Sequence, residues 1–312
     1  MIVVFGSLNA DLVFSVDALP RPGETVLCPG HQAVAGGKGL NQAVAAARAN
    51  MDPAVSVQMV GRVGPDGFAP LALQALKDAG VGTEAVTEST LPTGCAAVIV
   101  DRAGENQITV ASGANTDLWP EALPDEWLGP ETVLLLQMEV PLDSNWDVAR
   151  RAKARGARVV LNLAPAKPAP ADVLPSFDLV VLNEIEAGML AGAQGLEAGS
   201  GEEAGRGIAA RFGVTTVVSL GSAGAAAFAP DEAWRCGALA IEPVDTVGAG
   251  DAFVAGLALG LAEGAPLPAM LRRASVIGSL ACLVEGAAPA MPSAEEIEAR
   301  LADLPPAQPL TL

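Results

Sequence analysis

Asp245-Thr246-Val247-Gly248-Ala249-Gly250-Asp251-Ala252-Phe253 is a turn of small residues that ends in a carboxylate and opens directly onto an apolar stretch, Ala252–Ala262, of helical character. Around Gly248, Ala249 and Gly250 several backbone N–H groups can converge at the start of a helix, where unpaired donors and the macrodipole favour an anion. Asp251 falls at the same point. Before an arbitrary helix an Asp is first of all an N-cap. Set against an anion-binding turn, a carboxylate is suited to accept the proton of a hydroxyl as that oxygen attacks phosphorus. The stretch outlines a phosphoryl-transfer site, with Asp251 as base and the Gly248-Ala249-Gly250 backbone as anion hole.

Far upstream stands Ala35-Gly36-Gly37-Lys38-Gly39-Leu40-Asn41-Gln42-Ala43. Gly36 and Gly37 permit close approach of the backbone to a ligand, and Lys38 and Asn41, spaced i and i+3, share one face of a helix. An ammonium and an amide on one face match the hydroxyls of a polyol. Taken alone, a glycine-lysine string also suits an ordinary loop. It is not a Walker loop, because no Ser or Thr follows the lysine in the G-x-x-x-x-G-K-[ST] frame.

Between and around these motifs, strands rich in Val, Ile and Leu alternate with Ala-rich helices, the pattern of a parallel sheet covered on both faces. Core strands are predicted near Ile2–Gly6, Val55–Val60, Thr132–Gln137, Arg158–Leu163, Leu179–Leu182 and Thr216–Leu220. Helices are predicted at Gly39–Ala49, Phe68–Ala79, Leu142–Arg155, Ile185–Ala191, Glu202–Phe212, Ala252–Ala262, Leu267–Val284 and Ala294–Leu301, with right-handed crossovers. Two stretches break the rhythm and read as paired strands outside the main sheet. They are Leu12–Ala35, punctuated by Pro20, Pro22 and Pro29, and Gly94–Ser112, folded around Arg102-Ala103-Gly104-Glu105-Asn106. Ala193–Glu203 and the tail from Pro305 read as loops or mobile ends. Open α/β sheets bind ligands at the carboxyl ends of their strands. There Asn9 and Asp11 follow the first strand, and Glu139 follows the Thr132–Gln137 strand.

With 312 residues, 51% of them apolar, the chain can bury a large core and is expected to form a single α/β domain over 1–312. Acidic residues number 36 against 18 basic, a net charge of −18, which argues against nucleic acid and anionic membranes as partners. An anionic nucleotide therefore needs local donors and Mg²⁺ rather than the overall field. Cys28, Cys95, Cys236 and Cys282 are scattered with no C-x-x-C spacing, so neither zinc nor a redox pair is readable, and reduced cytoplasmic thiols are expected. Met1-Ile2-Val3-Val4-Phe5 lacks a basic leader and reads as a buried strand rather than a signal peptide. The apolar run Ala252–Ala262 is too short to cross a bilayer. His31, the one histidine, is assigned no catalytic role.

Together the two motifs resemble the ribokinase branch of the PfkB family of carbohydrate kinases. The resemblance runs in order through Gly6-Ser7-Leu8-Asn9-Ala10-Asp11, Pro22-Gly23-Glu24-Thr25, Thr93-Gly94, Gly104-Glu105-Asn106, Gly113-Ala114-Asn115 and Gln137-Met138-Glu139-Val140-Pro141-Leu142. It continues through Asn183-Glu184-Ile185-Glu186, Ser219-Leu220-Gly221-Ser222-Ala223-Gly224 and the Asp245–Asp251 signature. It implies a ribokinase-like three-layer αβα sandwich with a mostly parallel central sheet and a small β-sheet lid. The lid strands, from about 12–35 and 94–112, would cover the sugar and pair with a second subunit's lid as a homodimer.

Carried over by resemblance, Asn9, Asp11, Gly36, Gly37, Lys38, Asn41 and Glu139 would bind the sugar beside Asp251. Asn183 and Glu186 form the family's N-x-x-E element, associated with the phosphates and, through water, with Mg²⁺. Ser219, Leu220, Gly221, Ser222, Ala223 and Gly224, with Gly250 and Ser275, would hold ATP. A monovalent cation, K⁺, is implied beside the anion hole at Asp245 and near Val247, Ala281, Val284, Gly286 and Ala290. The chain departs from the pattern at three places. Ala290 stands where ribokinases often have a serine hydroxyl, so weaker K⁺ dependence is expected. Leu40 replaces a common alanine next to Asn41 and is expected to reshape the pocket, and Leu163 in Asn162-Leu163-Ala164-Pro165 replaces a common proline. The implied reaction is transfer of the ATP γ-phosphoryl to a primary hydroxyl, first of all that of D-ribose. The same chemistry on another sugar or a nucleoside, and a sugar-binding regulator without turnover, are the alternatives. Adenosine kinases usually lack the lysine of the Gly-Gly string, and retention of Asp251, Asn183 and Glu186 speaks against the regulator.

Overall fold

In β1 (Ile2–Phe5) four apolar residues in a row are all fully buried, because successive side chains point to opposite faces of the sheet and both faces are covered. Ile2 and Val4 join one core cluster, Val3 and Phe5 the other. This computed structural model describes residues 1–311. After β1 come β2 (Asn9–Ser15), β3 (His31–Gly36), β4 (Val57–Val63), β5 (Gly82–Glu88), β6 (Gly94–Val100) and β7 (Asn106–Ala111). The remaining strands are β8 (Val133–Leu136), β9 (Arg158–Asn162), β10 (Leu179–Asn183), β11 (Thr215–Ser219), β12 (Ala225–Phe228), β13 (Ala233–Cys236) and β14 (Gln308–Pro309). The helices are α1 (Lys38–Ala49), α2 (Ala69–Asp78), α3 (Leu142–Ala154), α4 (Glu184–Ala193), α5 (Gly201–Phe212), α6 (Ala249–Ala262), α7 (Leu267–Ala281) and α8 (Ala294–Leu301).

The main sheet has ten strands in the order β14-β13-β12-β11-β10-β9-β8-β1-β4-β5. From β11 to β5 neighbours run parallel, and β12, β13 and β14 add an antiparallel edge. Residues of α1, α2, α6, α7 and α8 pack on one face, and residues of α3, α4 and α5 on the other, which makes three layers. A separate four-stranded sheet, β3-β2-β6-β7, is the lid: β2 pairs antiparallel with β3 and parallel with β6. The chain leaves β1 for the lid and returns through α1 to β4 on one side of β1, while β8 lies on the other. That reversal opens a crevice at the carboxyl ends of β1 and β8, where open α/β sheets take ligands.

Every predicted helix and core strand is present, with ends displaced by a few residues. Thus α7 stops at Ala281 rather than Val284, because Cys282 and Leu283 donate to Ser279 O (3.1 Å) and Leu280 O (3.0 Å), tightening the last turn. The tail from Pro305, expected to be loose, instead contributes β14, paired to β13 through Trp234↔Pro309 and Arg235↔Gln308. Among the described residues no helix is long and apolar enough to cross a membrane.

Candidate active site

Asn9 opens β2, and its Oδ1 accepts from Asn115 Nδ2 at 2.7 Å while Asn115 Oδ1 accepts from the Leu8 N–H at 2.9 Å. The Asn9 amide nitrogen is left as the donor of this corner. Two residues on, Asp11 Oδ1 is buried with no hydrogen-bond partner. Burial, then the negative charges of Glu139 and Asp251, push the Asp11 carboxyl up to about 6. Gly36, opposite Asn9 in the β2–β3 ladder, lies diagonally from Asp11; a Cβ there would lie 2.1 Å from Asp11 Oδ2, so only glycine leaves room for the carboxylate. Gly37, with φ 90°, turns the chain into α1.

Lys38 begins α1, and the nearby Asp251 charge holds its ammonium above the usual lysine range against the opposing effect of desolvation, with Glu139 and Glu186 adding to the rise. One turn later Asn41 donates through Nδ2 to Asp251 Oδ2 at 3.1 Å, and its own Oδ1 is buried and unpartnered. The two residues expected to share a face therefore both look towards Asp251. Glu139, expected in the sugar shell, also ties two elements together. Its Oε2 accepts from Ser7 Oγ (2.5 Å) and from the Lys38 N–H (3.0 Å), so one oxygen fastens the turn after β1 to the start of α1. Leu40 corrects an expectation. Its side chain is fully buried in the core with Ala43 and Val44, so its bulk goes into core packing.

Asp251 is not the N-cap of its helix. Gly248 holds that position with a left-handed φ of 79°, and Asp251 lies in the first turn, 6% exposed. Its Oδ1 accepts from Gln42 Nε2 at 2.9 Å and its Oδ2 from Asn41. The Ala249 N–H, expected in the anion hole, donates back to Thr246 O at 3.3 Å, so that donor is shared with the turn. The Gly250 and Asp251 N–H groups have no carbonyl four residues back inside the helix and face its open end, whereas the Ala252 N–H donates to Gly248 O at 2.9 Å.

On the far side of Asp251, a cavity of about 140 Å³ is bounded by Lys38, Gly250 and Asp251 and, opposite, by Asn183, Glu186 and Ser219. Asn183 and Ser219 are register partners at the ends of β10 and β11. Asn183 Oδ1 accepts from the Glu186 N–H and Glu186 Oε2 accepts from the Asn183 N–H, each at 2.8 Å, a capping box at the start of α4. Burial pushes the Glu186 carboxyl up, against its hydrogen bond to Asn183 and the Lys38 charge. Its second oxygen and the hard-oxygen chemistry of the pair suit a hydrated Mg²⁺.

A second cavity of about 520 Å³ continues past Ser219 and Gly250 and includes Gly221, Ser222, Gly224 and Ser275 in its lining. Leu220 and Ala223, expected here, do not line it. The segment closes on itself as a tight turn, in which the Leu220 N–H donates to Gly224 O (2.8 Å), the Ala223 N–H to Leu220 O (3.1 Å) and the Gly224 N–H to Gly221 O (3.0 Å), and the Leu220 side chain packs against the core. Most of the walls that sequence reasoning missed are apolar, among them Leu239, Ile241, Pro243 and Phe253, with Thr246 and Ser279 adding hydroxyls. The signal was the run of small and apolar residues leading to Asp245.

Asp245 Oδ1 accepts from the Val247 N–H (3.0 Å) and Oδ2 from the Gly286 N–H (2.9 Å), while the Val244 N–H donates to Cys282 O (2.8 Å). These bonds bring the segments of Val247, Ala281, Val284 and Gly286 to one carboxylate. A carboxylate with backbone carbonyls is an all-oxygen set that fits a hard monovalent cation. Ala290 is buried and brings a methyl, not a hydroxyl. Among the described residues no three His, Cys, Asp or Glu side chains gather as a metal cluster.

Two residues next to Asp251 had no expected role: Gln42, quoted in the glycine-lysine string, and Gln137, which donates through Nε2 to Gln42 Oε1 at 2.8 Å. Both are fully buried.

A chain that gathers a polyol corner, a carboxylate at a helix start and a nucleotide-sized cavity is matched over residues 1–294 by the family model described as pfkB family carbohydrate kinase. A ribokinase of Bacillus subtilis is 34% identical over 299 residues, covering 95% of this chain and 98% of that one. The structure of Arabidopsis thaliana ribokinase complexed with ribose and ATP superposes with a TM-score of 0.85 at 35% identity, covering 96% of this chain and 98% of that one. A ribokinase from Thermotoga maritima gives a TM-score of 0.88 at 29% identity, covering 96% and 99%. The chain belongs to the PfkB family and is a ribokinase-like carbohydrate kinase.

Proposed function

We propose that the protein is an ATP-dependent ribokinase that phosphorylates the 5-hydroxyl of D-ribose, with Asp251 as the general base. The observation that carries this reading is the position of Asp251 between two unlike spaces. On one side Asp11 Oδ1 and Asn41 Oδ1 are buried acceptors without partners, a demand that sugar hydroxyls would meet. On the other lie the small cavity of Lys38, Asn183 and Glu186 and the larger apolar one behind it, fit for phosphates and a purine.

In the reaction the sugar hydroxyl gives its proton to Asp251, its oxygen bonds to the γ-phosphorus, and the bond from that phosphorus to the β–γ bridging oxygen breaks, leaving ADP. Asn9, Asp11, Lys38, Asn41 and Glu139 orient the sugar, with Gly36 and Gly37 giving the backbone clearance. The Lys38 ammonium and the N–H groups at Gly248–Gly250 stabilise charge on the moving phosphoryl group. Glu186 and Asn183 would hold Mg²⁺ through water, and that ion, when bound, neutralises phosphate charge. Asp245 with the carbonyls near Val247, Ala281, Val284 and Gly286 would hold K⁺, with weaker dependence for want of a hydroxyl at Ala290. Four unpaired cysteines suit a reducing, cytoplasmic setting.

The test is ADP formation from Mg-ATP with K⁺ over D-ribose, 2-deoxyribose, fructose, adenosine and pseudouridine. D-ribose is expected to give the highest kcat/KM. A nucleoside or other sugar in first place transfers the mechanism to that substrate, and binding of sugar with no turnover supports the regulator. Asp251→Asn is expected to lower kcat by about 10²–10⁴-fold with nucleotide binding retained. A kcat near wild type removes Asp251 from the base role.

A further inference from the structure

Gln42 and Gln137 are 0% exposed, at a place where the buried layer of β1, β8, α1 and α6 is apolar apart from Asn41 and Asp251 themselves. Burying two primary amides is unfavourable unless their polar atoms are bonded, and Gln137 Oε1 has no partner at all. Leucine or methionine would fill these positions without that penalty. A Cβ at Gly6 would lie 1.9 Å from Gln137 Oε1, so the chain also keeps a glycine where this amide sits.

The bonds have one direction. Gln137 Nε2 donates to Gln42 Oε1 at 2.8 Å and to the Leu135 carbonyl at 3.5 Å, and Gln42 Nε2 donates to Asp251 Oδ1 at 2.9 Å. Each amide has a donor end and an acceptor end. With Gln137 donating to its carbonyl, Gln42 cannot reverse and set its own oxygen against the carboxylate. Asn41 serves the other oxygen of Asp251, but Asn41 also faces the polyol corner and is available to exchange that bond for a hydroxyl. Gln42 has no such second partner.

We infer that Gln42 and Gln137 are positioning residues, an amide relay that holds the Asp251 carboxylate in its working rotamer whether or not sugar is bound. This rests on the reading of Asp251 as base. An amide does not titrate near neutral pH, so the relay takes no proton. The proton removed from the sugar hydroxyl stays on Asp251, whose charged neighbours include Lys38, Asp11 and, around the small cavity, Glu186.

The experiment is a double-mutant cycle on the full chain, with single-turnover and steady-state rates and sugar affinity by calorimetry. Gln42→Met, close in shape but without a donor, is expected to lower kcat by about ten- to a hundredfold, with sugar KM and dissociation constant unchanged. In the Asp251→Asn background the same change is expected to lower the residual rate no further, because the group it positions is gone. Gln137→Met is expected to lower kcat less, and adding it to Gln42→Met to cost nothing more. If Gln42→Met does not fold, Gln137→Met is read through the same pair of backgrounds. Unchanged kcat in these variants, or an equal fall with and without Asp251→Asn, overturns the relay. The Asp251→Asn single variant reads the base assignment separately, since a normal kcat there removes the base whatever the glutamines do.

Discussion

Asp11 holds a carboxyl that the sugar-free pocket keeps protonated to unusually high pH, near 6, through burial and the facing charges of Glu139 and Asp251. Because the folded value lies above the unfolded one, Asp11 favours the folded state fully below the ordinary carboxylate range. That contribution is lost as pH rises through about 6. On the proposed reading, sugar binds the ionised form, which can accept from two hydroxyls. Sugar affinity measured without nucleotide between about pH 5 and 8 is therefore expected to weaken below about 6, by about tenfold or more where the proton is fully bound. In Asp11→Asn that pH dependence should disappear, with affinity low throughout and with stability at neutral pH above wild type. A wild-type affinity flat across the range would remove Asp11 from the pocket's titration. Gly36 is legible from sequence as a close-approach glycine. That it is Asp11 it makes room for required the β2–β3 pairing.

At the scale of elements, the start of α4 does two jobs with one pair of residues. The capping box of Asn183 and Glu186 satisfies N–H groups of the first turn, and the same side chains border the phosphate-sized cavity. The two jobs separate by mutation. Asn183→Ala is expected to destabilise the protein by about 1 kcal/mol in denaturant unfolding. Glu186→Gln keeps an acceptor for the Asn183 N–H and should leave stability nearly unchanged while raising the Mg-ATP requirement. Loss of stability without any nucleotide effect in Glu186→Gln would leave only the cap. The core strands were legible as short unbroken apolar runs and most helices by an apolar period, with α6 standing out as an apolar stretch after its glycine turn. β5 was not, because Gly82–Glu88 is mostly polar with only Ala85 buried, and β12 was not, because Ala225–Phe228 is alanine-rich and reads as helix or loop. Pairing with a neighbour decides such edges, and pairing is invisible in the local string.

For the whole molecule, the lid presents a strand with no covered face. All six residues of β7 are exposed, including Ile108 at 53% and Val110 at 49%. Exposed apolar residues on an edge strand suit pairing with another lid. Sedimentation of the full chain is expected to give a dimer. Ile108→Lys with Val110→Lys should give a folded monomer with weaker sugar affinity, since lid closure loses its partner. A wild-type monomer at working concentration would end the proposed pairing.

By itself the amino-acid sequence determined the alternating βα order, the glycine turns, and the carboxylate at the start of α6, because these depend on local period and on residue types with narrow conformational uses. The sequence also placed Asn9, Asp11, Lys38 and Asn41 in one expected pocket through resemblance. Only the tertiary structure decided that Leu40 faces the core, that Glu139 fastens α1, that the Ser219–Gly224 turn closes on itself, and that Gln42 meets Asp251. Residues 42 and 251 are joined by a hydrogen bond across most of the chain. Which side of a helix meets which strand is set by packing of both sheet faces at once, and no local pattern carries it.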